Sequence, residues 1–119
     1  MSMHHNGLLS RLQGALVVDI PASISSDDLM ELSATVLQRL EFDDVAGVVI
    51  NLQQLRVTET ALLQTLDKML SMIQIMGVPA AVAGMQAGLI TALVHLDINT
   101  DRLCFAKAVP RAIQMLKSA

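Results

Sequence analysis

The segment Arg56-Val57-Thr58-Glu59-Thr60-Ala61 is where residue types and spacing combine into a chemistry. It follows a short apolar run and opens a long amphipathic one, so it reads as the start of a helix. The first backbone N–H groups of a helix have no partner inside it, and the macrodipole favours negative charge there. A phosphoryl group on a threonine at this point would be stabilised electrostatically. It would also bring about −1.5 to −2 charge to any protein surface resting there, and so would break the contact. The segment has the features of a phosphorylation switch. A plainer reading fits the same residues: Thr58 caps the helix and Thr60 is an ordinary first-turn residue, because hydroxyls are preferred at helix starts.

The other chemistry-bearing residues do not assemble into a set. His4 and His5 sit in an N-terminus expected to fray over residues 1–6, where a metal role is weak. His95 falls late on a short helix and reads as a cation or hydrogen-bonding group near its C-terminal end. Cys104 lies in a predicted strand and reads as a small hydrophobe. Gly84 and Gly88 are too far apart for a dinucleotide-binding turn, and no phosphate-binding loop or nucleophile elbow is present. Asp27, Asp28, Glu41, Asp43 and Asp44 flank helix ends, and Asp97 and Asp101 bracket a turn with Asn99. No helical pair of carboxylates suggests a di-metal centre. The expectation is a protein without enzymatic activity, cofactor or metal.

The elements that must position the Arg56–Ala61 segment follow from periodicity. Leu8, Leu9 and Leu12 precede Gln13-Gly14, and Ala15 to Ile20 follow. That reads as a hairpin of two short strands closed by Pro21. Ser25-Ser26-Asp27-Asp28 starts a helix, and Leu29, Leu32, Val36 and Leu40 share one face of it. Gly47 to Leu52 reads as a buried strand. The long helix from Thr58 to about Met76 carries Leu62, Leu66, Met69, Ile73 and Met76 as its stripe, widened by Leu63 and Leu70. That arc exceeds what one sheet face requires, so either a second layer or a partner covers it. Val78 to Ala83 reads as a strand. A helix from Ala87 to Leu96 follows, with Leu89, Ile90, Leu93 and Leu96 inward. Leu103 to Phe105 is a brief strand, and Val109 to Lys117 a last helix on Val109, Ile113 and Leu116. The order is β-β-α-β-α-β-α-β-α. Alternation of this kind gives a mostly parallel sheet with right-handed crossovers.

Composition bounds the rest. The chain has 119 residues, enough for one core and so one domain over 1–119. Hydrophobic residues make up 53% and charged residues 16%, the reverse of a disordered chain. A net charge of −3 gives no basic footprint for nucleic acid. With no Trp or Tyr and only Phe42 and Phe105, there is no aromatic platform for stacking bases. One cysteine permits no intrachain disulfide, and a cytoplasmic location is the expectation. Met69 to Leu96 contains no Asp, Glu, Lys or Arg, but Gly77, Pro79, Gly84 and Gly88 interrupt it, so membrane insertion is not expected. Eight methionines stand out, a residue that fills irregular cores and adaptable binding surfaces alike.

The chain resembles a STAS domain, the fold of bacterial anti-sigma-factor antagonists, and is most similar to the small single-domain stressosome scaffold type. The residues that carry the resemblance are Gly47-Val48-Val49-Ile50-Asn51-Leu52, Val57-Thr58-Glu59-Thr60, Met76-Gly77-Val78, Val82-Ala83-Gly84-Met85-Gln86 and Leu93 to Leu96. The resemblance implies an α/β fold with a mostly parallel four- to five-stranded sheet, an N-terminal hairpin strand and about four helices. It also implies Thr60 as phosphoacceptor for a GHKL-type kinase, with Asn51, Thr58 and Glu59 flanking it. Arg56, Ala61, Leu62, Gln64 and Gln86 are then expected to meet the partner, a switch kinase or anti-sigma factor. STAS paralogues and homo- or hetero-oligomers are further implied partners. Glu59 stands where the family usually has Asp, and Asn51 where the preceding strand usually ends in Asp. Two alternatives share the fold: a STAS subunit that binds the ATPase of a lipid-transport ABC complex, and a nucleotide-binding module using the helix starts at Thr58 or Gln86.

Overall fold

In a computed structural model, which describes residues 8–56, 59–95 and 103–118, the chain forms one five-stranded sheet flanked by four helices. The strands are β1 (Leu9–Leu12), β2 (Ala15–Asp19), β3 (Gly47–Asn51), β4 (Ala80–Ala83) and β5 (Cys104–Ala106). The helices are α1 (Ser26–Phe42), α2 (Thr60–Ile75), α3 (Ala87–His95) and α4 (Val109–Ser118). Spatial order follows chain order, with β1 antiparallel to β2 and every other pair parallel. The alternation of the sequence thus gives the expected α/β architecture.

Local chemistry explains each junction. Leu12 pairs with Ala15, so the hairpin turn is the two residues Gln13 and Gly14, at φ 53° and 86°. Two successive positive φ values make the turn whose twist matches that of paired strands. The α1 N-cap is Ser25, whose hydroxyl accepts from the Asp28 N–H at 3.0 Å, and Asp27 and Asp28 lie in the first turn. At the other end Arg39 meets Asp43 at 2.7 Å.

Alternation along the strands divides the core in two. Leu16, Val18, Val48, Ile50 and Val82 face α1, α2 and α3. Ala15, Val17, Val49, Ala81 and Ala83 face α4 through Ala112 and Ile113. The α4 side is lined by small residues, so that helix lies close. A Cβ on Gly47 would meet the Pro79 carbonyl and a Leu116 methyl at 3.0 Å each. Cys104 is half-buried in this second layer, with Val109 and Leu116.

The wide apolar arc of α2 is covered by a second layer. Leu62, Leu63, Leu66, Met69, Leu70 and Ile73 are all buried between the sheet and α1. The Ser26 and Thr65 hydroxyls meet at 2.8 Å and tie the first turn of α1 to α2. Two expected inward residues point elsewhere. Met76 is 40% exposed because it is the C-cap, where the chain leaves the helix into Gly77 at φ 78°. Ile90 is 45% exposed because it lies one residue, about 100°, round from Leu89, which fills the core position. The side chains of Leu93 and His95, together with Leu96 and the turn around Asp97, Asn99 and Asp101, lie outside the described residues, as do residues 1–6.

Candidate functional site

Parallel strands place their carboxyl ends together, and open α/β sheets build sites there. Asp19 ends β2, Asn51 ends β3 and Ala83 ends β4, side by side in register. The segment after β3 is then fixed by several bonds. The Leu52 N–H donates to the Ala83 carbonyl at 2.8 Å, the Leu55 N–H to the Leu52 carbonyl at 3.1 Å, and the Arg56 N–H to the Ala22 carbonyl at 3.5 Å. Leu52 and Leu55 are buried and anchor it from below.

The α2 helix begins where this segment ends. Glu59 is the N-cap, in extended backbone at φ −119° and ψ 157°, and its side chain makes no capping bond. The Leu62 and Leu63 N–H groups both donate to the Glu59 carbonyl, at 3.2 and 3.4 Å. Thr60 is the first helical residue and is exposed, as is Glu59. The expected cap at Thr58 is replaced by Glu59 as the capping position, and Thr58 itself lies outside the described residues. No acidic side chain lies in the first turn of α2, unlike that of α1. A group at Thr60 would meet the positive end of the helix, where the cap residue Glu59 supplies the neighbouring carboxylate in the chain.

The expected contact residues divide. Arg56, Ala61 and Gln64 are exposed beside Thr60 on the chain, and Gln64 shares its helix face four residues on. Leu62 does not belong with them. It is 2% exposed and packed in the main core, because its place on the helix turns it towards the sheet and α1. It supports the site from beneath and offers no surface to a partner.

Gln86 is brought to the site by a bond across the sheet end. Its side-chain amide donates to the Gln53 carbonyl at 3.1 Å, and its own carbonyl accepts the Leu89 and Ile90 N–H groups that open α3. Asn51 stands at the centre of this end. Its amide N–H donates to Asp19 Oδ1 at 2.8 Å, and its Oδ1 accepts from the Gln53 N–H at 3.2 Å. Asp19 was not singled out by motif or spacing. The signal available was a lone acid closing an apolar strand, and only the β2–β3 register joins it to Asn51.

Between α1 and α2 lies a groove of about 260 Å³ lined by Met30, Leu37, Thr65, Lys68, Met69 and Met72 among others. Met30 on α1 and Met72 on α2 are 59% and 41% exposed, so each helix turns one methionine outward beside the groove while the main stripe of α2 stays buried. Among the described residues no group of three or more His, Cys, Asp or Glu could hold a metal ion. None of their helices is long and apolar enough to cross a membrane.

The sequence matches no family model and no curated protein. Solved structures share its architecture. The RsbS protein of Moorella thermoacetica, in a serine-to-glutamate variant, superposes with a TM-score of 0.83 at 15% identity, over 92% of this chain and 93% of that one. A chain from a stressosome, described as a signal integration and transduction hub, gives 0.82 at 15% identity, over 92% and 96%. The anti-sigma-factor antagonist SpoIIAA gives 0.70 at 8% identity in its unphosphorylated form, over 93% and 97%. Its phosphorylated form, from Bacillus, gives 0.68 at 7%, over 91% and 96%. The chain has the STAS fold of these anti-sigma-factor antagonists and stressosome proteins.

Proposed function

We propose that this protein is a phosphorylation-switched scaffold of the anti-sigma-factor-antagonist type. Unphosphorylated, it holds a GHKL-type kinase or an anti-sigma factor against the surface formed by Arg56, Glu59, Thr60, Ala61, Gln64 and Gln86. Phosphorylation of Thr60 releases that partner. The observation that carries this reading is the placement of Thr60, an exposed hydroxyl on the first residue of a buried-faced helix whose cap makes no side-chain bond. A phosphate there is stabilised within the protein by roughly 0.3–1 kcal/mol through the helix dipole. The same charge opposes any partner that must desolvate the surface, so the modification favours the fold and disfavours the contact. The likeness to SpoIIAA, solved in both phosphorylation states, supports the same reading.

The test uses wild-type, Thr60→Ala and Thr60→Glu proteins as baits in lysate of the native host, with mass spectrometry of what binds. Retention of a GHKL-type kinase or anti-sigma factor by wild type and Thr60→Ala, and its loss from Thr60→Glu, is the expected result. Equal retention by Thr60→Ala and Thr60→Glu overturns the switch. An ABC-transporter ATPase on all three baits moves the protein to transport and makes Thr60 a plain contact residue.

A further inference from the structure

We propose that Asp19, Asn51, Gln53 and Gln86 form a hydrogen-bonded latch that positions the segment leading into α2, and that Asp19 acts in it as a hydrogen-bond acceptor. This deepens the reading of Thr60 as phosphoacceptor and rests on it for its functional meaning.

The latch is continuous. Asn51 donates to Asp19 at 2.8 Å and accepts from the Gln53 N–H at 3.2 Å, and the Gln53 carbonyl accepts from the Gln86 amide at 3.1 Å. It therefore joins the ends of β2 and β3 to the residue whose carbonyl opens α3. A second contact runs beside it. Gly84 sits at φ 74°, and a Cβ there would lie 2.8 Å from Gln53 Cβ and 2.9 Å from its Cα and N. Only a glycine lets the β3–α2 and β4–α3 connections approach so closely.

Strand alternation says how the latch can act. Asp19 and Asn51 follow Val17 and Val49 at a spacing of two, so their side chains stand on the α4 side of the sheet. The α2 helix packs on the opposite side. The pair thus reaches Thr60 through the backbone of Leu52–Arg56, which makes Asp19 a positioning residue. An acceptor oxygen is all that this role requires. Asp19→Asn keeps an oxygen for Asn51 to donate to, whereas Asp19→Ala removes it.

Amide hydrogen exchange read by mass spectrometry on the full chain tests this. Asp19→Ala and Asn51→Ala should each speed exchange about five- to tenfold in peptides covering Leu52–Arg56 and the start of α3, with β4 and α4 unchanged. Asp19→Asn, whose neutral oxygen still accepts but makes a weaker bond, should lie clearly closer to wild type than to Asp19→Ala in every peptide. Unchanged exchange in both alanine variants, or an increase spread over the whole chain, overturns the latch. An Asp19→Asn variant as loose as Asp19→Ala overturns the acceptor role and shows that the charge matters. Exchange needs no kinase, so a failed latch leaves the Thr60 reading standing, and a failed bait experiment leaves the latch standing.

Discussion

Replacing Asn51 by Asp restores the residue usual in the family that this chain resembles, and the structure says that it should destabilise the protein at neutral pH. Asn51 Nδ2 lies 2.8 Å from Asp19 Oδ1. A carboxylate in its place loses the donor and sets two like charges side by side. The lost hydrogen bond to a charged group is worth about 1.5–3 kcal/mol. Two carboxylates relaxed to about 4 Å repel by about 1 kcal/mol in water and about 4 kcal/mol at an effective dielectric of 20. Both residues are partly exposed, so solvent screens the repulsion and water replaces part of the lost bond. A net loss of about 2 kcal/mol follows, which for a domain of this size lowers Tm by about 8 °C. The pH dependence has a definite sign. In the unfolded chain the two acids ionise independently, while in the folded variant their repulsion makes the pair hold a proton more tightly. Unfolding then releases protons, so the deficit of the variant against wild type must shrink as pH falls. Thermal melts of wild type and Asn51→Asp at pH 7.5 and pH 4.5, in low and high salt, give the measurement. Equal Tm values at pH 7.5, or a deficit that does not narrow in acid, would refute the reasoning. High salt should narrow it too.

Two further outcomes follow from backbone and packing. Gly84→Ala and Gly77→Ala both place a side chain at positive φ, at 74° and 78°, but only the first meets other atoms, the Gln53 backbone at 2.9 Å. Chemical denaturation should show a loss of about 1 kcal/mol for Gly77→Ala and clearly more for Gly84→Ala, and equal losses would contradict the close approach. Met69→Ala should cost about 2–5 kcal/mol, because Met69 is fully buried where α2 meets the sheet and α1. Met72→Ala, at 41% exposure, should stay within about 0.5 kcal/mol of wild type in the same assay.

The fold was legible because its signals are local. Ser25 with Asp27 and Asp28 announces α1, Gln13-Gly14 announces the hairpin, and the alternation of strand and helix signals gives the parallel sheet. Spacing also found the stripe of α2, and packing then decided what covered it: α1 does. Periodicity placed Leu62 correctly in the buried stripe of α2, and only the resemblance set it among the contact residues. Where side-chain direction depends on tertiary packing, periodicity did misplace a residue: Ile90 adjoins the buried Leu89 yet turns out. Asp19 was invisible for a different reason. Its partner is 32 residues away and no motif joins them, so only the pairing of β2 with β3 makes it part of the site.

Asn51 shows why the site needs both kinds of reading. In the sequence it is a departure, an amide where the resembled family has a carboxylate. In the structure that amide donates to Asp19 and accepts from the Gln53 N–H at once. An ionised carboxylate can only accept, so it could keep the second bond but not the first. The departure therefore leaves the entry to α2 bonded on both sides. Beyond it the Gln53 carbonyl, accepting from the Gln86 amide, joins the connection that leads to Thr60 with the one that opens α3. A partner resting on Arg56, Thr60 and Gln86 would then meet two connections held in one arrangement before binding. That would lower the ordering cost of association and, on the function proposed above, leave a phosphate on Thr60 as the means of release.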